Sequence, residues 1–299
     1  MEFLAVVCGL ILLYQPHFFA VIQHDHWFAD WQEKVGLGQV LGGATGIGMV
    51  VTLGLPVLAV YLANNLIGNF ALGLPFFLLN LWVLLYSFGR GDSRAQVDEL
   101  VDDLERDDLQ AAFRGLAVFT VDVSDGQAMD GAGFLEELKA RLAYSYFERQ
   151  LAVLFWFLVG GAPLALLYRL SVLYWQNASS AESTRESGRA WLWLMEWLPL
   201  RVVGLTLALV GHFNRGLRYW RELFWSDQST QQTLLTWVNG ALGSVEEERD
   251  SAITTDAELT TDAELTGASV SGEVRRVERL FCNAIVCWLV VIALLVIVA

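Results

Sequence analysis

Charge is what this chain has least of. Asp, Glu, Lys and Arg together make up 17% of its 299 residues, where a soluble domain carries about a quarter. Basic charge is scarcer than acidic: 19 Lys and Arg against 33 Asp and Glu leave a net charge of −14. Phosphate recognition needs clustered Lys and Arg, so nucleic acid is excluded as a partner. Cysteine is sparse too. Cys8, Cys282 and Cys287 lie inside apolar terminal segments, and read as buried thiols rather than as a metal or redox set. No Ser–His–Asp constellation, phosphate loop, dinucleotide fingerprint or zinc pattern occurs. The N-terminus has no basic region and no small-residue cleavage site, so no removable signal peptide is read.

Hydrocarbon fills the chain instead. Hydrophobic residues make up 55% of it and mean hydropathy is +0.45. The apolar residues gather in runs of the roughly 20 residues that a helix needs to cross a bilayer. The expected fold is therefore all-α, a polytopic helical membrane protein with about six transmembrane helices plus cytoplasmic amphipathic helices.

The expected spans are Glu2–Tyr14 (extending towards Ile22), Ala44–Ile67, Phe70–Phe88, Gln150–Tyr174, Ala190–Gly211 and Cys282–Ala299. Composition then divides the chain into six parts. Residues 1–88 hold the first three spans, and 89–149 form a hydrophilic helical insertion. Residues 150–211 form a helix pair, 212–245 interfacial helices, 246–278 a disordered acidic linker and 279–299 the last span. The linker contains TDAELT twice in tandem, Thr255–Thr260 and Thr261–Thr266, and two copies of a hexamer do not make a solenoid.

Between the spans, His24, Asp25, His26 and Asp30 lack metal-ligand spacing. That segment reads as an interfacial helix seating Trp27, Phe28 and Trp31 at headgroup level. GGATGIG (Gly42–Gly48) suits close helix packing in lipid. In the insertion, Val97, Leu100, Val101 and Leu104 recur at amphipathic helix spacing. Asp102, Asp103, Glu105, Asp107 and Asp108 line its other side, a run of the kind that holds Mg²⁺ or simply solvates a helix face. NRGLRYWRELF (Asn214–Phe224) places Arg215, Arg218 and Arg221 at helical spacing among aromatics, as on an anionic leaflet.

Loop charge sets an expected topology. Lys and Arg number one in Gln23–Gly43, seven in Gly89–Arg149 and seven in His212–Arg279, but none in Asn64–Asn69 and two in Gln176–Arg189. The positive-inside bias places Gly89–Arg149 and His212–Arg279 in the cytoplasm and both termini outside.

Charge within the apolar runs marks the candidate site, because it is costly there. Pro163 should kink the fourth span. Arg169 is expected near that span's outer end, as a snorkelling anchor or as a ligand group. Glu196 and Arg201 flank Pro199 in the fifth span, as a structural ion pair or as a pocket in which Arg201 grips phosphate or carboxylate. Glu148, Arg149 and His212 fall at one leaflet under this topology. Glu148, Arg149, Arg169, Glu196, Arg201 and His212 are thus the candidate ligand-binding residues.

LAVLFWFLVGG (Leu151–Gly161) followed by MEWLPLRVVGLTLALVGH (Met195–His212) resembles the AmpE family of inner-membrane proteins of Gram-negative bacteria. That resemblance implies a signalling modulator of β-lactamase induction, linked to the cytoplasmic amidase AmpD and binding a small anionic or nucleotide ligand. The same segments are similar to the CobD/CbiB cobalamin-pathway synthases. Ala152–Gly161 with Ala162, Pro163, Tyr168 and Arg169 matches their LFY…GGAP…YR run, and Trp197–Arg201 their NWLPAR run. That likeness implies an ATP-dependent amide ligase joining aminopropanol phosphate to a corrinoid, with ATP and Mg²⁺ as cofactors. Before these runs the chain departs from the synthases, with Tyr144-Ser145-Tyr146-Phe147-Glu148-Arg149. Proline-broken spans with charge at depth also suit a transporter of small anions.

Overall fold

Helices carry the chain in the computed structural model, which describes residues 2–13, 25–37, 45–67, 73–88, 93–106, 109–116, 131–177, 182–226, 228–243 and 267–298. Twelve helices lie within them: α1 (Glu2–Leu13), α2 (His26–Leu37), α3 (Thr45–Ile67), α4 (Leu74–Ser87), α5 (Ser93–Glu105), α6 (Leu109–Leu116), α7 (Gly131–Tyr146), α8 (Ala152–Gln176), α9 (Glu182–Val210), α10 (Phe213–Leu223), α11 (Thr230–Leu242) and α12 (Gly267–Val298). A π-helical turn, Phe147–Leu151, joins α7 to α8.

The protein is an all-α polytopic membrane protein. Among the described residues four stretches are long and apolar enough to cross a bilayer: Gly48–Ile67, Gly133–Gln176, Glu186–Val210 and Ser269–Leu294. Helices α1 and α4 are apolar but shorter, at 12 and 14 residues. At 1.5 Å per residue they rise about 18 and 21 Å, less than the hydrocarbon core. The expected extension of the first span to Ile22 lies outside the described residues, as does the TDAELT repeat. Helix α12 begins at Gly267, inside the stretch expected to be a disordered linker to residue 278. Its buried Val270, Val274 and Val277 follow helical spacing and carry the amphipathic pattern back from the apolar run.

The chain forms two compact units. The first comprises Met1–Asp92, Glu148–Pro199 and Ile292–Ala299. In it α1 packs on α4, where Gly9 admits the side chains of Leu84 and Phe88. Asn80 of α4 donates to the amide oxygen of Asn64 on α3 at 3.2 Å, a polar tie of the kind that joins helices in lipid. Trp31 of α2 donates to the Thr52 carbonyl at 3.1 Å. The outer face of α3 is bare hydrocarbon, with Val50 70% and Leu66 81% exposed, as a lipid-facing helix requires.

The second unit comprises Ser93–Phe147 and Leu200–Val291. Val97, Leu100, Val101 and Leu104 of α5 are all buried, so the expected amphipathic face is real. Gly216 of α10 lies so close to Ala208 that a Cβ there would meet its Cα at 2.8 Å. Trp288 of α12 donates to the Thr206 hydroxyl at 3.0 Å, and the rings of Tyr146 and Phe281 stack.

Candidate functional site

The site in the first unit starts from a bend. Within α8, Gly160 has φ −150°, ψ 24° and Gly161 has φ 69°, ψ −162°. The latter conformation is open only to glycine. Pro163 follows, and its ring and missing N–H deny an unbroken helix one hydrogen bond. The expected kink therefore falls two residues ahead of the proline.

It is more than a kink. The Arg169 guanidinium lies 3.8 Å from the Glu148 carboxylate. Twenty-one residues of straight helix would hold them about 32 Å apart, well beyond the reach of the two side chains. Two bonds to α9 say the same: the Trp156 indole donates to the Met195 carbonyl, and the Tyr168 hydroxyl to the Glu196 carboxylate. The stretch expected as a single span with Arg169 at its outer end is a helical hairpin.

The hairpin gathers ionisable groups that α2 and α9 complete. Arg169 donates to Asp25 at 3.1 Å, just before α2 begins. Asp25, Glu148, Arg169 and Glu196 are all buried, Arg169 at 6% and Glu196 at 3% exposure. The Tyr168 hydroxyl reaches Glu196 at 3.5 Å. Tyr86 of α4 accepts a hydrogen bond from the Trp27 indole at 3.0 Å and feels the Asp25 charge. Asp25 and Glu148 thus share the Arg169 guanidinium, and Glu196 stands on the neighbouring Tyr168 hydroxyl. The Arg169 Nε is buried and, among the described residues, has no hydrogen-bond partner. Arg149 sits beside Glu148 in the π turn and acts on it electrostatically.

Arg201 and His212 lie in the second unit. Arg201 Nε and Nη2 both donate to the Phe224 carbonyl, at 3.1 and 3.0 Å. Trp220 in return donates to the Arg201 carbonyl at 2.8 Å. Arg201 thereby satisfies a backbone carbonyl just past the end of α10, where a cation is favoured. His212 is exposed at the start of α10, with its backbone N–H on the Ala241 carbonyl. In the first unit Glu196 takes the Tyr168 hydroxyl, and in the second Arg201 holds the Phe224 carbonyl.

Comparison with known proteins follows the same segments. The model of the family described as regulatory signalling modulator protein AmpE matches residues 4–268. The chain belongs to the AmpE family. It is 26% identical over 222 residues to Protein AmpE of Shigella flexneri, covering 71% of this chain and 77% of that protein. It is 31% identical over 216 residues to the cobalamin biosynthesis protein CobD of Chromobacterium violaceum, covering 64% of this chain and 66% of that one. A CobD of Stutzerimonas stutzeri (strain A1501) is also 31% identical, over 149 residues and 48% of each chain. No solved structure matches.

Within this AmpE-family chain, sequence reasoning missed Asp25, Tyr86 and Tyr168. Asp25 was visible only as a poor metal ligand, and Arg169 lies 144 residues away from it. Among the described residues no group of three or more His, Cys, Asp or Glu is arranged to hold a metal ion. The one usable signal was Tyr168 next to Arg169, two polar groups side by side in an apolar run.

Proposed function

We propose that this AmpE-family chain works in the bacterial inner membrane as a signalling modulator of β-lactamase induction, its state set by a small anion that engages Arg169. The observation that carries this is the Arg169 Nε, buried without a partner among the described residues. An unmet buried donor is costly, and a phosphate or carboxylate oxygen is the group that meets a guanidinium edge best. The neighbouring Glu148 contact, at 3.8 Å, is beyond hydrogen-bond length and is the contact an incoming anion displaces. Binding at Arg169 would then loosen the hold between the two arms of the hairpin, which is a means of reporting occupancy. An anionic product of cell-wall recycling or a nucleotide phosphate fits this chemistry, and the AmpD amidase is the functional partner the family resemblance implies. Seven basic residues favour a cytoplasmic Gly89–Arg149 segment.

The test is genetic and biochemical together. A strain lacking the gene is complemented with wild type, Arg169→Lys or Arg169→Gln, with membrane abundance matched. We expect Arg169→Gln to alter β-lactamase induction as the deletion does, and Arg169→Lys to do so in part. Full complementation by Arg169→Gln at wild-type abundance sinks the reading.

The two CobD relatives, each 31% identical, favour a second reading, an ATP-dependent ligase. Incubating the purified chain with ATP, Mg²⁺, aminopropanol phosphate and a corrinoid acid decides it. Amide product would establish the ligase; we expect none.

A further inference from the structure

Helix α10 presents a charged stripe that the site above does not use. Its inner face is committed: Gly216 abuts Ala208, the Tyr219 carbonyl accepts from Trp237 at 3.2 Å, and Trp220 bonds the Arg201 carbonyl. Asn214, Arg218, Arg221 and Trp225 fall at helical spacing along the other face, and all four are exposed. Trp225 is 79% exposed and Phe213, at the helix start, 47%. Such aromatics are expensive to leave in water and belong at a membrane interface. Position agrees, since α10 begins three residues after α9, a membrane-crossing helix, ends at Val210. Charge agrees too: a chain of net charge −14 places three Arg against one Glu in this eleven-residue helix.

We propose that the Asn214–Arg218–Arg221–Trp225 stripe is a docking surface for the headgroups of anionic phospholipids. Arg218 and Arg221 make no ion pair among the described residues; Arg218 lies over the Tyr219 ring at 5.3 Å, a contact that takes none of its N–H donors, so both guanidiniums can meet lipid phosphate. Trp225 seats at the glycerol level beside them. The two hydrogen bonds from Arg201 to the Phe224 carbonyl fix the end of α10, so the stripe is held in one pose rather than carried on a free loop. Lipid bound here therefore bears directly on α9.

The test uses the full-length protein in detergent. Thermal unfolding is followed while phosphatidylglycerol or phosphatidylcholine is titrated into the micelles. Wild type should be stabilised at a much lower mole fraction of phosphatidylglycerol. Arg218→Gln/Arg221→Gln should shift that midpoint upward by roughly tenfold to thirtyfold, from the usual attraction per basic residue, and leave the phosphatidylcholine curve in place. An unshifted midpoint, or a wild type that responds to both lipids alike, overturns the proposal. A second measurement on wild type needs no variant: raising salt from about 0.05 to about 0.5 M should erase the phosphatidylglycerol preference, and its survival also overturns it. Inorganic phosphate should leave the unfolding curve unmoved; a response equal to that of phosphatidylglycerol would assign the stripe to soluble anions and end the lipid reading.

Discussion

Glu148 and Arg169, twenty-one residues apart on one apolar stretch, hold their carboxylate and guanidinium 3.8 Å from each other. This pair defines the hairpin, because no unbroken helix brings such positions together.

A topological consequence follows. In a background with Cys8, Cys282 and Cys287 replaced, single cysteines at Arg149 and Asn177 should react with a membrane-impermeant maleimide from the same side. Labelling from opposite sides would restore a crossing span and break the hairpin.

Gly161 should resist substitution. Its φ of 69° is closed to a side chain at that ψ, so Gly161→Ala is expected to cost about 1–3 kcal/mol. Thermal unfolding in detergent measures it. A neutral Gly161→Ala would show that the backbone does not turn there.

The Asp25–Arg169 contact is a buried ion pair at 3.1 Å. Asp25→Asn and Arg169→Gln should each destabilise by roughly 3–5 kcal/mol, because each strands a charge out of water. The double variant should cost clearly less than the sum, a coupling that a double-mutant cycle reads directly. Additive losses would mean that the groups do not interact.

Arg201 should behave as a structural residue. Arg201→Gln removes the two donors on the Phe224 carbonyl and should lower stability by about 1–3 kcal/mol. Its effect on β-lactamase induction should track protein abundance. An abundance-matched Arg201→Gln that loses signalling would return Arg201 to the ligand site.

At Asn80 the polar tie to Asn64 is modest. Asn80→Ala should cost about 0.6–1.7 kcal/mol, the range seen for side-chain bonds between membrane helices. A loss of several kcal/mol would show that the tie does more than join α3 to α4.

Much of the frame was legible early, for particular reasons. The buried face of α5 follows from the spacing of Val97, Leu100, Val101 and Leu104, a local pattern that any amphipathic helix must show. The kink in α8 follows from Pro163, since a lost hydrogen bond is local as well. The size of the turn did not follow, because the Gly160 and Gly161 angles are chosen by what the two arms pack against.

By itself, the sequence determined that this is a membrane protein built from helices, because hydropathy and helical periodicity are properties of neighbouring residues. It also determined the family, through runs that persist as strings. Only the tertiary structure decided that Arg169 belongs with Asp25 and Glu148, since a charge buried among apolar helices takes whichever counter-charge the packing brings to it. That choice joins residues 144 apart in the chain, a distance over which local pattern carries no information.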